Sequence, residues 1–464
     1  MKKKDYEEIE DLDDEIIDDD EVLDDVDEED EFIEDEPKKP AKKTAKPVKK
    51  APAKKKMKKG AKVAIISSSV AVGVIAIALV TIFAILPALG ISLLGGTNKN
   101  APQLFYKEDS VYGLYFYGDN HKVLNTGAKD SDIDMVRASK DLDKSYFDPD
   151  KPTIIWTHGW EMTGSFGDAY LCAGADTRKA MKNYDINYAE ELKKQGYNVA
   201  TFQYQGYGTK TSFAADLSSI YKYTVYNIDK TGYSMSYMFA SELATILGEK
   251  YQKDITLVGH SCGGFVSTAT AYMLQYFYQE GTFKNKHLVP TRLILEDPYV
   301  DGVENKKFTD TQKMCGTKED IKERTKCEVV LDMIASLGKN SNVAIDVYLG
   351  MAGASTTFIE GGDHFTEALK YCTVMDMTGM KQWQGSPVGN IHVLTRDWVW
   401  ASMLGDKLTD NKGNPAPTAA RTNEEIIALR GNLYQQTAKG FCWAGGTGVT
   451  EVIKNVDNTD GFYF

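Results

Sequence analysis

The sequence predicts an α/β protein, a mostly parallel sheet with helices on both faces, standing behind a disordered charged tail and one transmembrane helix. Three observations predict it. Short runs that are apolar throughout alternate with helical stretches between residues 150 and 350, and unbroken apolar strands belong to sheets buried on both faces. No charged residue occurs from Val63 to Asn98, the only stretch long and apolar enough to span a bilayer. The charge is also segregated. The 464 residues carry 54 Lys+Arg and 67 Asp+Glu for a net charge of −13, yet residues 1–36 alone hold 22 acids against three lysines, and residues 37–62 hold 13 lysines and no acid. With 42% apolar residues the chain can bury a sizeable core. These features exclude a simple soluble cytosolic protein, a chain disordered throughout and a polytopic transporter.

Residues 1–36 are expected to be an acidic disordered cytoplasmic tail, because so few apolar side chains cannot offset the cost of ordering the backbone. Residues 37–62, a Lys/Ala/Pro tract, repel themselves and contain prolines that oppose packing. Their place beside an apolar run marks them as a juxtamembrane topology signal drawn to anionic inner-leaflet lipid, in preference to a nucleic-acid-binding arm. Residues 63–96 are expected to hold the transmembrane helix: Val70 to Leu89 supplies 20 uncharged residues, and at about 1.5 Å per residue this covers about 30 Å. A cleaved signal peptide fits less well, given the long charged segment before the run. The lysines stay inside, so residues 97–464 form an extracellular domain and the protein is a single-pass membrane protein.

Within that domain Thr153–Thr157, Val199–Tyr204, Ile255–Gly259, Arg292–Glu296 and Val343–Leu349 read as buried strands. YAEELKKQG, SMSYMFASELATILGEKYQ and GFVSTATAYMLQYFYQE read as the helices between them. Such a sheet presents its functional loops at the carboxyl ends of its strands. All six cysteines (Cys172, Cys262, Cys315, Cys327, Cys372, Cys442) lie in this part, where disulfides persist. Sequence cannot choose among their pairings; Cys315 and Cys327, bracketing a short helix-prone segment, are the favoured pair, and Cys262 is expected to be a free thiol. The tyrosine-rich stretches are read as ordinary amphipathic packing.

The strand at Ile255 runs into Gly259-His260-Ser261-Cys262-Gly263-Gly264 and then an apolar helix. G-x-S-x-G alone recurs by chance, but between a strand and a helix it describes a sharp turn that needs small neighbours and lifts a serine above a helix N-terminus, where negative charge is stabilised. Ser261 is thus the candidate nucleophile, and the backbone N–H of Cys262 an oxyanion donor. His158-Gly159-Trp160 follows an early strand, where the N–H of Trp160 can supply the second donor; His158 is read as a loop brace. Asp297, at a strand's carboxyl end, has the place and chemistry to hold an imidazole Nδ1–H. Asp346 is the competing acid, but it lies inside its strand.

These stretches, Phe147–Gly164 (FDPDKPTIIWTHGWEMTG), the elbow LVGHSCGG and Leu293–Pro298 (LILEDP), resemble the α/β-hydrolase lipases of the pancreatic and lipoprotein lipase group, including their phospholipase A1 relatives. The resemblance covers residues 145–300 well and the rest loosely. It implies the α/β-hydrolase fold, a cell-surface serine hydrolase of lipase or carboxylesterase type acting on lipid or other carboxylic esters, Ser261 as nucleophile, Asp297 as the acid before a proline, and Trp160 and Cys262 as the oxyanion hole. The chain departs from the group in lacking length for its β-sandwich domain, and the Cys315–Cys327 pair is not securely the group's lid. The base must follow Asp297 in chain order, leaving His364 and His392. His392 is preferred: a β-prone run from Gly389 is read as the last strand or its exit, and residues 350–390 then become an insertion able to serve as lid; residues 299–342 are the other lid candidate. No cofactor and no metal is expected, since the histidines lack zinc spacing. The partners expected are the substrate and the membrane, not nucleic acid. A reading from another class is a hydrolase-fold surface adhesin or receptor without activity.

The topology is directly testable. Protease added to intact cells is expected to degrade the ectodomain and to spare a tag on the N-terminus; loss of the tag with the ectodomain intact would invert the orientation.

Overall fold

The computed structural model describes residues 101–104, 112–120, 134–160, 187–204, 213–226, 233–300, 307–308, 313–314, 316–351, 358–359, 361–378, 388–405, 407, 415–437 and 440–443. The tail, the lysine tract and the transmembrane segment expected over residues 1–96 lie outside them, as do Cys315 and hence its pairing. Among the described residues no helix is long and apolar enough to cross a membrane.

Among the described residues one ten-stranded sheet organises the fold. In chain order its strands are β1 (Gly113–Tyr117), β2 (Met135–Arg137), β3 (Thr153–Thr157), β4 (Asn198–Gln203), β5 (Ile255–His260), β6 (Arg292–Glu296), β7 (Ala344–Leu349), β8 (Thr373–Asp376), β9 (Leu433–Thr437) and β10 (Gly440–Trp443). Their spatial order is β10-β9-β8-β7-β6-β5-β3-β4-β1-β2. From β4 through β9 every neighbouring pair is parallel; β1, β2 and β10 join antiparallel at the edges. The sheet is therefore mixed and mostly parallel, and each of the five strands read from sequence is there within one residue.

The apolar runs bury both faces, as parallel strands connected by helices must. On one face Ile155, Leu257, Leu293, Leu295 and Val347 pack with α2 (Phe213–Val225), α3 (Met235–Leu247), α4 (Cys262–Glu280), α5 (Lys326–Ser341) and α6 (Gly362–Leu369). On the other Trp156, Val258, Ile294 and Tyr348 pack with α1 (Tyr188–Lys194) and α7 (Val388–Leu404), whose Trp398 and Trp400 are fully buried. A short α8 (Asn423–Ala428) precedes β9. Local signals set the helix ends. Thr325 and Glu328 form a capping box that starts α5, and Asn342 in the left-handed region ends it.

Four expectations are corrected. The helix-prone segment between Cys315 and Cys327 forms turns in its described part, with the helix beginning only at Lys326; the capping box overrides the propensity of the residues before it. Residues 299–342 hold α5, which packs on α4 and β7 as an ordinary crossover, so they are not a lid as a whole. Residues 350–390 are likewise no single insertion, because 362–369 form α6 and 373–376 form β8, a strand whose four residues are too few for a visible period. The β-prone run at Gly389 is helical, the start of α7. Asp346 also has another role: fully buried, it meets the Arg292 guanidinium at Nε (3.1 Å) and Nη2 (2.9 Å) and accepts from the Tyr348 hydroxyl at 2.8 Å. Arg292 in turn donates to the carbonyl of Ala419 at 3.2 Å, tying the β6–β7 pair to the loop before α8.

Removing one member of this buried pair strands the other charge, so Asp346→Ala is expected to lower the unfolding free energy by about 3–5 kcal/mol. Urea denaturation of the full chain checks it; a midpoint equal to wild type would show that the pair contributes nothing.

Candidate active site

The glycines of the G-x-S-x-G stretch are dictated by close approach. A Cβ on Gly263 would lie 2.2 Å from the His158 carbonyl oxygen and 2.4 Å from that of Thr157, and one on Gly259 would lie 2.6 Å from the Gly263 carbonyl oxygen. The first turn of α4 is thus pressed directly onto the end of β3. Gly264 has the same property toward the acid's loop, since its Cβ would meet Pro298 at 2.9 Å. Between these contacts Ser261 takes φ 57° and ψ −130° as the N-cap of α4, with no side-chain cap hydrogen bond. A non-glycine residue in that region is strained; the hydroxyl is left uncommitted to its own helix.

Backbone hydrogen bonds join the serine to the acid. The Ser261 N–H donates to the Glu296 carbonyl at 3.0 Å, and the Ser261 carbonyl accepts from Tyr299 N–H at 3.1 Å, so the serine is held by the residues on either side of Asp297-Pro298. Asp297 is fully buried and also has a positive φ of 44°. Its Oδ1 accepts from Gly350 N–H at 2.8 Å and Met351 N–H at 3.1 Å, and its Oδ2 accepts from Met351 N–H at 3.1 Å. The loop leaving β7 therefore aims the carboxylate. His392 Nδ1 lies 2.6 Å from Asp297 Oδ2, and the rings of His392 and His260 are 4.5 Å apart, centre to centre.

The structure thus brings His392, Asp297 and the Ser261 turn to the carboxyl ends of β5 and β6. It puts His364 elsewhere, in the first turn of α6, with Nδ1 2.8 Å from Oδ1 of Asp332 on α5. Trp160 is half-buried against the larger core cluster. Cys262 is fully buried at the start of α4, its Sγ 3.5 Å from the Tyr204 hydroxyl at the end of β4. That hydroxyl also donates to the His158 carbonyl, while the His158 ring stacks on Tyr204 at 4.3 Å and its Nδ1 lies 2.7 Å from the Gly159 carbonyl oxygen. His158 thus braces the loop after β3, and Tyr204 is a second brace that sequence reasoning left unread. Among the described residues no His/Cys/Asp/Glu group is arranged to hold a metal ion.

Two more buried polar residues went unread. His260 and Glu296 directly precede the serine and the acid, and they are register partners across β5 and β6. Burial pushes the His260 imidazole well below its usual value, helped by the neighbouring His392 ring and the Arg396 guanidinium, and burial pushes Glu296 well above the usual carboxyl range. The available signal was polar residues at matching ends of two adjacent buried strands.

No family model matches the sequence, and no curated protein matches it. The fold is similar to solved structures at low identity. The acylaminoacyl peptidase of Pyrococcus horikoshii shares 12% identity over 60% of this chain and 39% of its own, with a TM-score of 0.30. Est1E from Butyrivibrio proteoclasticus, solved with ferulic acid bound, shares 14% over 50% of this chain and 80% of its own, with a TM-score of 0.27. A lipase-esterase related protein from Clostridium acetobutylicum shares 14% over 54% of this chain and 94% of its own, with a TM-score of 0.25. The chain thus spans well under half the length of the Pyrococcus peptidase.

Because Gly263 faces two backbone carbonyls that cannot swing aside, Gly263→Ala is expected to cost at least the upper end of the about 1–3 kcal/mol typical of overpacking. A thermal melt of the purified variant measures it, and an unchanged melting temperature would show that the contact between α4 and β3 is not as tight as described.

Proposed function

We propose that the chain is a membrane-anchored cell-surface serine hydrolase that cleaves carboxylic esters, lipid esters foremost, with Ser261 as nucleophile, His392 as general base and Asp297 as the acid that orients it. The observation that carries this reading is the 2.6 Å contact of His392 Nδ1 with Asp297 Oδ2, made beside a serine whose backbone is bonded to both sides of that aspartate. The chain order Ser, Asp, His supports it as well. The preference for lipid esters rests on the sequence resemblance of the elbow, the Phe147–Gly164 stretch and Leu293–Pro298.

In this mechanism Asp297 accepts the Nδ1–H of His392, which leaves Nε2 of the neutral imidazole as the base. Ser261 Oγ attacks the ester carbonyl carbon while Nε2 takes its proton. The oxyanion of the tetrahedral adduct is met by the N–H groups of Cys262 and Trp160, with the 19-residue helix α4 directing its positive end at the same point. The imidazolium then protonates the leaving alcohol, giving an acyl-enzyme. Water, deprotonated by His392, hydrolyses it to the carboxylic acid and restores Ser261. Asp297 stabilises the imidazolium at both proton transfers.

Ser261→Ala and His392→Ala are each expected to reduce hydrolysis of a soluble chromogenic ester by about 10⁴-fold or more, whereas His364→Ala is expected to match wild type. Loss of activity in the His364 variant with retention in the His392 variant would reassign the base, and full activity in Ser261→Ala would remove the mechanism altogether.

A further inference from the structure

His260 and Glu296 stand at the catalytic end of the sheet, yet the mechanism above uses neither. We propose that they are positioning residues: together they seat helix α7 on the ends of β5 and β6 and so hold the His392 ring against Asp297. This rests on the reading of His392 as the base.

Strand alternation is the first part of the case. Side chains two residues apart along a strand point to the same face, so His260 and Glu296 belong to the face on which Val258 and Ile294 pack, the face covered by α7. In α7 the residues His392, Arg396 and Trp400 follow at intervals of four and share a side of the helix. The two strand ends and this helical side meet.

The contacts at the meeting point are specific. His260 Nε2 lies 3.3 Å from the His392 backbone carbonyl oxygen. A carbonyl only accepts, so Nε2 carries the proton and donates. The other ring nitrogen, Nδ1, is buried with no hydrogen-bond partner among the described residues, and it faces Gly159, where a Cβ would come within 3.0 Å. The ring is thereby neutral, with one N–H spent on the base's own main chain. Because the bond goes to the main chain, it fixes where His392 starts and leaves the imidazole free to work.

Glu296 acts one strand over. It is fully buried, its Oε2 accepts from Trp156 Nε1 at 3.4 Å, and its Oε1 has no partner among the described residues. Trp156 meets Trp400 of α7 edge-on at 6.3 Å. The charged and titratable groups around the pair are Arg396, Asp397 and His392 of α7 and His158 after β3. Arg396 Nε is 2.9 Å from Asp397 Oδ1, so the helix brings its own counter-ion and Glu296 can sit beneath it as a neutral acid.

The test uses the full-length chain in detergent with its six histidines isotope-labelled in the ring, the His392 signal being identified by its loss in His392→Ala. His260→Phe keeps a flat ring without the donor, His260→Asn keeps a polar tip too short to reach, and His260→Gln restores an N–H at nearly the original reach. In either loss variant kcat on a soluble ester is expected to fall about ten- to a hundred-fold, as for a slightly misplaced catalytic group, with KM changed less than about two-fold. The His392 resonance and its titration midpoint should move in the same variants, and His260→Gln should recover most of the rate. Glu296→Gln, the neutral isostere, is expected to recover what Glu296→Ala loses. A folded loss variant with wild-type kcat and an unmoved His392 signal overturns the proposal. If wild type hydrolyses no ester but the His392 signal still moves, the positioning stands and the hydrolase reading fails; if neither occurs, both fail.

Discussion

Everything at the carboxyl ends of β3, β5 and β6 depends on one close approach, the first turn of α4 pressed onto the end of β3 at Gly263. With no Cβ at that position the helix can start directly against the His158 and Thr157 carbonyls, and the chain entering it must turn so sharply that Ser261 adopts a positive φ. Strained backbone of this kind costs of order 1–3 kcal/mol and persists only where the surroundings over-determine it. Here the surroundings are visible: parallel strands on both sides of β5, the Glu296 and Tyr299 bonds to Ser261, and Pro298 packed on Gly264. The same contacts that force the turn also present a serine at the head of a long helix.

The second constraint is the alternation of the strands. At the ends of β5 and β6 it turns the register partners His260 and Glu296 toward α7, while Ser261 and Asp297 follow just beyond the strands in positive-φ turns. The latter pair carries the proposed chemistry. The other is buried against α7, where burial disfavours the charged form of both groups, pushing His260 down and Glu296 up. The sheet thereby places His392 next to a second histidine whose charged form is disfavoured by burial. Arg396 and Asp397 pair with each other one turn further along α7, keeping their charge balanced beneath the site.

How far the sequence could be read follows from how local each signal is. The five central strands are legible because a strand buried on both faces reads as a nearly continuous apolar run with few polar interruptions, whatever its neighbours. The edges are not: Met135–Arg137 and Leu433–Thr437 mix polar and apolar residues, and they become strands only because β1 and β8 offer them a ladder. The segment around His392 misleads for the opposite reason. A helix at a surface advertises itself by a polar face, but α7 has Thr395, Asp397, Trp398, Val399, Trp400, Ala401 and Ser402 all buried, so its period is blurred and its β-branched residues suggest a strand.

The sequence by itself determined the α/β alternation, the turn at Ser261 and the acid at the end of the next strand, because each is written in residues adjacent along the chain: small glycines around a serine, an apolar run before an Asp-Pro. Only the tertiary structure decided between His392 and His364 as the neighbour of Asp297, drew Asp346 into an ion pair with Arg292, and joined His260 to Glu296 beneath α7. Those outcomes depend on register between strands and on the seating of one helix, and contacts between residues 36 to 132 positions apart leave no periodic trace in the sequence.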